Sequence, residues 1–253
     1  MILNIKTMNK LILIFLLLFA KIGYSQNFQG KVLYKSYILE NVIDSSTFQK
    51  KDKQVADALT FVNKSVKTNS MKFELKFTNS ESLFQKEPIM KKDNDYGYDI
   101  AEIIYGGKNI YYYNSITGER LTNKKVYGDD YLVVGNMKDI KWTLTNQRKK
   151  IGNYSCLKAT SILKIKNSKG IFFKDITAWY APEIPVSFGP KDYCGLPGLI
   201  LELIEGNINY SAYKLILNPK EKIEIFKPKK GKIITQEELD KIGLSLSKNN
   251  KRD

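Results

Sequence analysis

The stretch Met71–Phe77, MKFELKF, alternates apolar and charged residues without a break. Met71, Phe73, Leu75 and Phe77 take one side; Lys72, Glu74 and Lys76 take the other. Successive side chains of a strand point to opposite faces, so this pattern specifies a half-buried antiparallel strand with one wet face. Residues 30–40, GKVLYKSYILE, repeat it with Val32, Tyr34, Ser36 and Ile38 on one side. Further strands are expected at 101–105, 109–114, 131–134 and 140–145, with Gly106-Gly107 as a hairpin turn between the first two.

One segment breaks the period. Val55, Leu59, Val62 and Val66 recur at steps of four, three and four, which is a helical stripe, and Asp44, Ser45 or Ser46 can cap its start. Thr235 opens TQEEL, a capping box closed by Glu238, so a second, short helix is expected near the C-terminus. The mixed-charge stretch 86–99 reads as a solvated loop. Its Asp93, Asp95 and Asp99 miss the calcium-loop frame, because Gly97 falls one place early and Ile104 stands where the closing Glu belongs.

The chain starts with an export pattern. Lys6 and Lys10 precede the unbroken apolar run 11–20, LILIFLLLFA, which is too short to cross a bilayer core of roughly 30 Å. Gly23 and Ser25 fit the small-x-small rule for cleavage after Ser25. The expected organisation is a signal peptide at 1–25, one antiparallel β domain at 26–225, and a basic tail with a short helix at 226–253. The fold class is mainly β with one or two helices, a curved antiparallel sheet or open half-barrel in a single domain. An uncleaved anchor is the other reading of the leader; past it, no transmembrane segment is expected. Periplasm, or the periplasmic face of the outer membrane, is the expected location.

The formal net charge is +15. The lysines are spread along strands as solvated faces usually are, and there is no recognition helix or zinc pattern. Attraction to an anionic membrane surface suits this charge better than nucleic acid does, and plain solubility accounts for it too. Histidine is absent, which removes a histidine triad, a histidine proton shuttle and histidine-bearing zinc sites. No metal or organic cofactor is expected. Cys156 and Cys194 leave two readings open: one disulfide in an oxidising compartment, or two buried small apolar side chains.

Residues 174–186 form a strand that runs into Pro182 and Pro185, neither of which can donate to a central ladder. Leu196-Pro197-Gly198-Leu199 then has Pro and Gly at the central positions of a type II turn. The turn launches 199–204, LILELI, which pairs by hairpin with 208–217 through Glu205-Gly206-Asn207. This block, AWYAPEIPVSFGPKDYCGLPGLILEL, resembles the signature of the GLPGLI family of exported Bacteroidetes proteins. The matching residues are Trp179, Pro182, Glu183, Ile184, Pro185, Gly189, Pro190 and the hexapeptide Gly195 to Ile200. The stretch 142–160, WTLTNQRKKIGNYSCLKAT, resembles the family's preceding block. The resemblance implies an exported β fold and carries no assigned reaction. Lys191, Asp192 and Cys194 depart locally from the pattern. More distantly, the order of elements is similar to the periplasmic lipoprotein-carrier half-barrel.

Three functions are weighed. A curved sheet cupping an apolar or lipid ligand draws on Phe73, Phe77, Tyr111, Tyr113, Trp179 and Tyr180, although such aromatics also fill ordinary cores. A docking role toward an envelope protein draws on the proline-stiffened loop. An enzyme would draw on Glu183, Asp192 and Glu202, the acids near the motif. The preferred reading is a binding or accessory protein without catalytic residues. Its ligand or partner contacts are expected at Trp179, Tyr180, Pro182, Glu183, Pro185, Gly195, Leu196, Pro197 and Gly198.

Overall fold

The alternating segments assemble into one open sheet of twelve strands in this computed structural model, which describes residues 28–41, 53–89, 94–167 and 170–249. The leader 1–25, the caps Asp44 to Ser46, Asp93 and the last residues of the tail lie outside the described residues. In chain order the elements are β1 (Gly30–Ile38), α1 (Lys53–Thr68), β2 (Met71–Phe77), β3 (Glu81–Lys86), α2 (Tyr96–Ile104), β4 (Ile110–Asn114), β5 (Glu119–Val126) and β6 (Asp129–Asn136). After a 3-10 turn at Met137–Asp139 come β7 (Thr143–Ile151), β8 (Tyr154–Asn167), β9 (Gly170–Ala181), β10 (Leu199–Glu205), β11 (Ile208–Leu217), β12 (Lys232–Thr235) and α3 (Gln236–Asn249). Across the sheet the order is β12, β6, β5, β4, β3, β2, β1, β11, β10, β9, β8, β7. All pairs are antiparallel except β12 on β6.

The fold class is therefore mainly β, with three helices. The faces follow the period of two: Met71, Phe73, Leu75 and Phe77 are buried together with Val32, Tyr34 and Ser36 of the neighbouring strand. The sheet curls strongly, since α3 touches both β6 and β8, which stand near opposite ends of the strand order.

Several local expectations give way to packing. Residues 101–105 are the end of α2 and its cap, not a strand. Asp95 accepts a hydrogen bond from the Tyr98 amide at 2.9 Å, and Tyr98, Ala101 and Tyr105 fall at helical spacing on the buried side. Gly106-Gly107 consequently ends a helix. β3 and β5 are too polar to stand out in the sequence, and the strand expected at 140–145 begins only at Thr143. The basic stretch from 226 on supplies β12 before α3, whose capping box closes through Glu238 and Thr235.

The segment 182–198 lies inside the curl. Ile184, Val186, Phe188, Tyr193, Cys194 and Leu196 are buried in the main core, and the Phe188 ring sits 6.0 Å from Phe77 and 5.7 Å from Tyr113. Five backbone bonds tie it down: Ile184 N to Ala181 O, Gly195 N to Ser187 O, Leu199 N to Ile184 O, Ile200 N to Phe188 O and Tyr193 N to Pro190 O. The turn at Leu196-Pro197-Gly198 is not type II. Gly198 N donates to Leu196 O at 2.8 Å, a three-residue turn centred on Pro197; Val186 N to Ile184 O makes the same turn around Pro185. Proline's fixed φ suits that centre.

Gly198 is required by contact. A Cβ there would lie 2.4 Å from the Ala181 carbonyl oxygen, whereas one at Gly152, also at positive φ, meets nothing within 4 Å. Gly152→Ala should cost about 1 kcal/mol for its left-handed backbone. Gly198→Ala should cost about 3 kcal/mol or more, because backbone must shift. Urea unfolding of the two variants checks this; equal losses would contradict the close approach.

Candidate functional site

The inward curl leaves a cleft of about 500 Å³ between the β4–β6 limb and the β8–β9 hairpin. Alternation along β5 turns Arg120, Thr122 and Lys124 toward it, while Leu121 joins a small separate cluster with Tyr112 and Leu132. The opposite wall comes from residues 161–166 of β8 and Ile176 of β9. The floor is the inner loop itself, through Lys191, Asp192 and Tyr193, together with Glu205 at the end of β10 and Tyr111 of β4.

The floor is an ion network of half-buried side chains around the buried Glu205. Glu205, a few per cent exposed, accepts from Lys174 Nζ at 3.2 Å and from Lys191 Nζ. Asp192 accepts from Arg120 Nη2, while Arg120 Nη1 donates to the Asn136 carbonyl at 3.1 Å. Lys191 holds a left-handed backbone at φ 57° and carries its ammonium 5.7 Å from the centre of the Tyr210 ring. Burial opposes every one of these charges, and the partners outweigh it. Glu205 and Asp192 are held below their ordinary carboxylate values by Lys191 and Arg120 respectively, and Glu205 keeps Lys191 above the usual lysine value. Burial pushes the phenols of Tyr193 and Tyr210 well up.

The residues expected as the site divide among three environments. Tyr180 is buried in the core, as are Phe73, Phe77, Tyr111 and Tyr113, so these aromatics fill the inside of the curl. Trp179 points to the other face of β9, where the Lys149 ammonium lies 4.5 Å above its ring and also pairs with Glu202 at 2.6 Å. Leu196 and Gly198 are buried in the loop, and Pro182, Glu183, Pro185, Gly195 and Pro197 are exposed on its outer edge. Glu183 accepts from the Ser155 amide at 3.2 Å. Glu183, Asp192 and Glu202 thus each have a separate partner, and only Asp192 reaches the cleft. The sequence points to neither Arg120 nor Lys124, and to Lys191 and Glu205 only as a local departure from the motif and as a turn residue. Glu205 was within reach, because Leu201 and Leu203 point inward and the period of two carries the direction on to it.

The two cysteines are separate buried thiols. Trp142 Nε1 donates to the Cys194 carbonyl at 2.8 Å. Burial raises the Cys194 pKa to about 12 and that of Cys156 to about 11. Among the described residues no cluster of three or more Cys, Asp or Glu side chains is placed to hold a metal, and no helix is long and apolar enough to cross a membrane.

Residues 169–202 match the family described as a protein of unknown function (Porph_ging). That stretch contains β9, the inner loop and the start of β10, and so the part of the cleft floor formed by Lys191, Asp192 and Tyr193. No curated protein sequence matches the chain. Its fold is similar to PNGF-II in a C2 crystal form, with a TM-score of 0.51, 14% identity, 88% of this chain covered and 33% of that one. PNGF-II in a P21 form gives 0.45, 12%, 80% and 29%. The chain thus spans about a third of the length of PNGF-II. At such identity the likeness concerns the fold, and it replaces the expected similarity to lipoprotein carriers.

Two outcomes follow. A group whose folded pKa is depressed stabilises above its unfolded value and loses that contribution as pH falls. The melting temperature should therefore fall as pH drops below the ordinary values of Glu205 and Asp192, 4.5 and 3.8, toward their lower folded values, and Glu205→Gln should flatten this acid slope. A variant with the wild-type slope would contradict it. Both thiols should resist a disulfide-exchange reagent in the folded protein and react after denaturation. A native mass lower by the two hydrogens of a disulfide would contradict the free thiols.

Proposed function

We propose that the chain is an exported cell-envelope binding protein that holds an apolar or lipid ligand in the cleft between the β4–β6 limb and the β8–β9 hairpin. The leader pattern at 1–25 supports export to the periplasm or the periplasmic face of the outer membrane. The observation that carries the ligand reading is the cleft itself. Its volume of about 500 Å³ falls within the range of roughly 300–1,000 Å³ usual for small-molecule sites. Ile103, Val133, Ile162, Leu163, Ile165 and Ile176 give it apolar walls above a charged floor, the combination that suits a molecule with an apolar body and a polar end.

The inner loop stiffens this site. Its two proline-centred turns and its backbone bonds to Ala181, Leu199 and Ile200 fix the floor before any ligand arrives, so little ordering entropy is lost on binding.

The test is titration of the mature chain, from Gln26 on, with a fluorescent fatty-acid probe and displacement by the unlabelled acid. Saturable binding near one molecule per chain is expected. Ile165→Lys, which places a charge on the apolar wall, should weaken it by about tenfold or more, the loss of roughly 1.4 kcal/mol of apolar contact. Probe fluorescence that never saturates, or that Ile165→Lys leaves unchanged, would count against the cleft as the ligand site.

A further inference from the structure

The cleft is lined by more cations than carboxylates. Lys174 and Lys191 share the single carboxylate of Glu205, and Arg120 takes that of Asp192. Lys124 adds another cation on the same face of β5. No carboxylate of the described residues lies within ion-pair distance of it, and its Nζ donates to Gln236 Oε1 at 3.1 Å, a neutral acceptor. Arg120 also lies 3.9 Å from Asp139, and across the whole cleft lining Arg120, Lys124, Lys164, Lys166 and Lys191 face Asp139, Asp192, Glu205 and Asp240, which leaves one positive charge in excess. Arg120 adds a second sign of the same kind. Its Nη1 and Nη2 are occupied by Asn136 and Asp192, but its buried Nε has no hydrogen-bond partner in the protein. A half-buried cation facing other cations is relieved by an anion, and the unpartnered Arg120 N–H adds to the positive field there.

We propose that the cleft floor is an anion subsite, in which the Lys124 ammonium binds the carboxylate or phosphate head of an amphiphilic ligand and Arg120 and Lys191 supply the surrounding positive charge. This rests on the cleft being the ligand site and assigns the polar end of that ligand. The environment of Lys124 agrees with it. Burial lowers its pKa; Asp192 opposes that shift, Lys191 reinforces it, and Asp240 and Glu205 act with Asp192 without reversing it. The strained backbone of Lys191 is of the same piece: a left-handed lysine persists where the surroundings over-determine it, here to set its ammonium on Glu205 beside the cleft.

The experiment compares dodecanoate, dodecyl phosphate, dodecanol and inorganic phosphate by calorimetric titration of the mature chain. Dodecanoate and dodecyl phosphate should bind about tenfold or more tighter than dodecanol, and raised salt should weaken the two anions alone. Lys124→Gln should abolish the preference and Lys124→Arg should keep it, with urea midpoints of both variants confirming folded protein. Competition by inorganic phosphate alone would support the subsite and mark a free anion as sufficient; no competition beside tight dodecyl phosphate binding would support a lipid head. Dodecanol binding as tightly as the anions would overturn the anion subsite and leave the cleft reading standing. Absence of saturable binding by every amphiphile would overturn both.

Discussion

A strongly curled apolar sheet has to be covered on its inside, and this chain covers it with its own segment 182–198. The inner faces of β1 to β4 and of β9 to β11 present Tyr34, Phe73, Phe77, Phe84, Tyr113 and Tyr210, all of them buried. Phe188 fills the space between Phe77 and Tyr113, so the loop covers the apolar surface, and the buried Tyr34 hydroxyl donates to the Ile200 carbonyl of β10 at 2.6 Å. The helices complete the cover. Tyr105 bonds the Val66 carbonyl at 2.8 Å and accepts at its own carbonyl from Tyr210, also at 2.8 Å. An inner loop explains why the signature contains both prolines and tightly placed glycines: the chain must fold back on itself within a closed space.

The same arrangement produces the polar floor. A loop that plugs a curl brings its own backbone and its own charges with it, and Lys191 and Asp192 are the charges it brings. Each is answered by a strand residue, Asp192 by Arg120 of β5 across 72 positions and Lys191 by Glu205 of β10 across 14. Buried pairs of this kind gain little net stability over apolar packing, while removal of one partner is expensive. Their value here is geometric: they pin the loop to both limbs and set the electrostatic character of the space left above it. The positive surplus at Lys124 then follows from the same construction.

What the sequence discloses is what depends on local periodicity. β1 and β2 are legible because their alternation is strict, β10 and β11 because a Pro-Gly turn and Glu205-Gly206-Asn207 bound two β-forming runs, α1 because its apolar steps are helical, and the start of α3 because Thr235 and Glu238 form a recognisable cap. Residues 101–105 mislead because Ala-Glu-Ile-Ile-Tyr has strand-forming content, and the helix is decided upstream by Asp95 in a stretch that reads as loop. The position of 182–198 was not legible. Its rigidity comes from Pro185 and Pro197, but whether a rigid loop stands at a rim or fills the interior depends on curvature, which is set by pairings across the whole sheet. The candidate site fell with that distinction. Trp179 and Tyr180 are neighbours in sequence and lie on opposite faces of β9, and the residues that meet in the cleft come from β5, the inner loop and β10.

Hydrogen exchange read by mass spectrometry on peptides spanning 182–200 tests the inner position of the loop most directly. An inner plug bonded through Gly195, Leu199 and Ile200 should exchange as slowly as β1 and β2, opening only with global unfolding. Exchange of these amides at the rate of an unprotected chain, while β1 and β2 stay protected, would place the segment at a mobile rim and contradict the account.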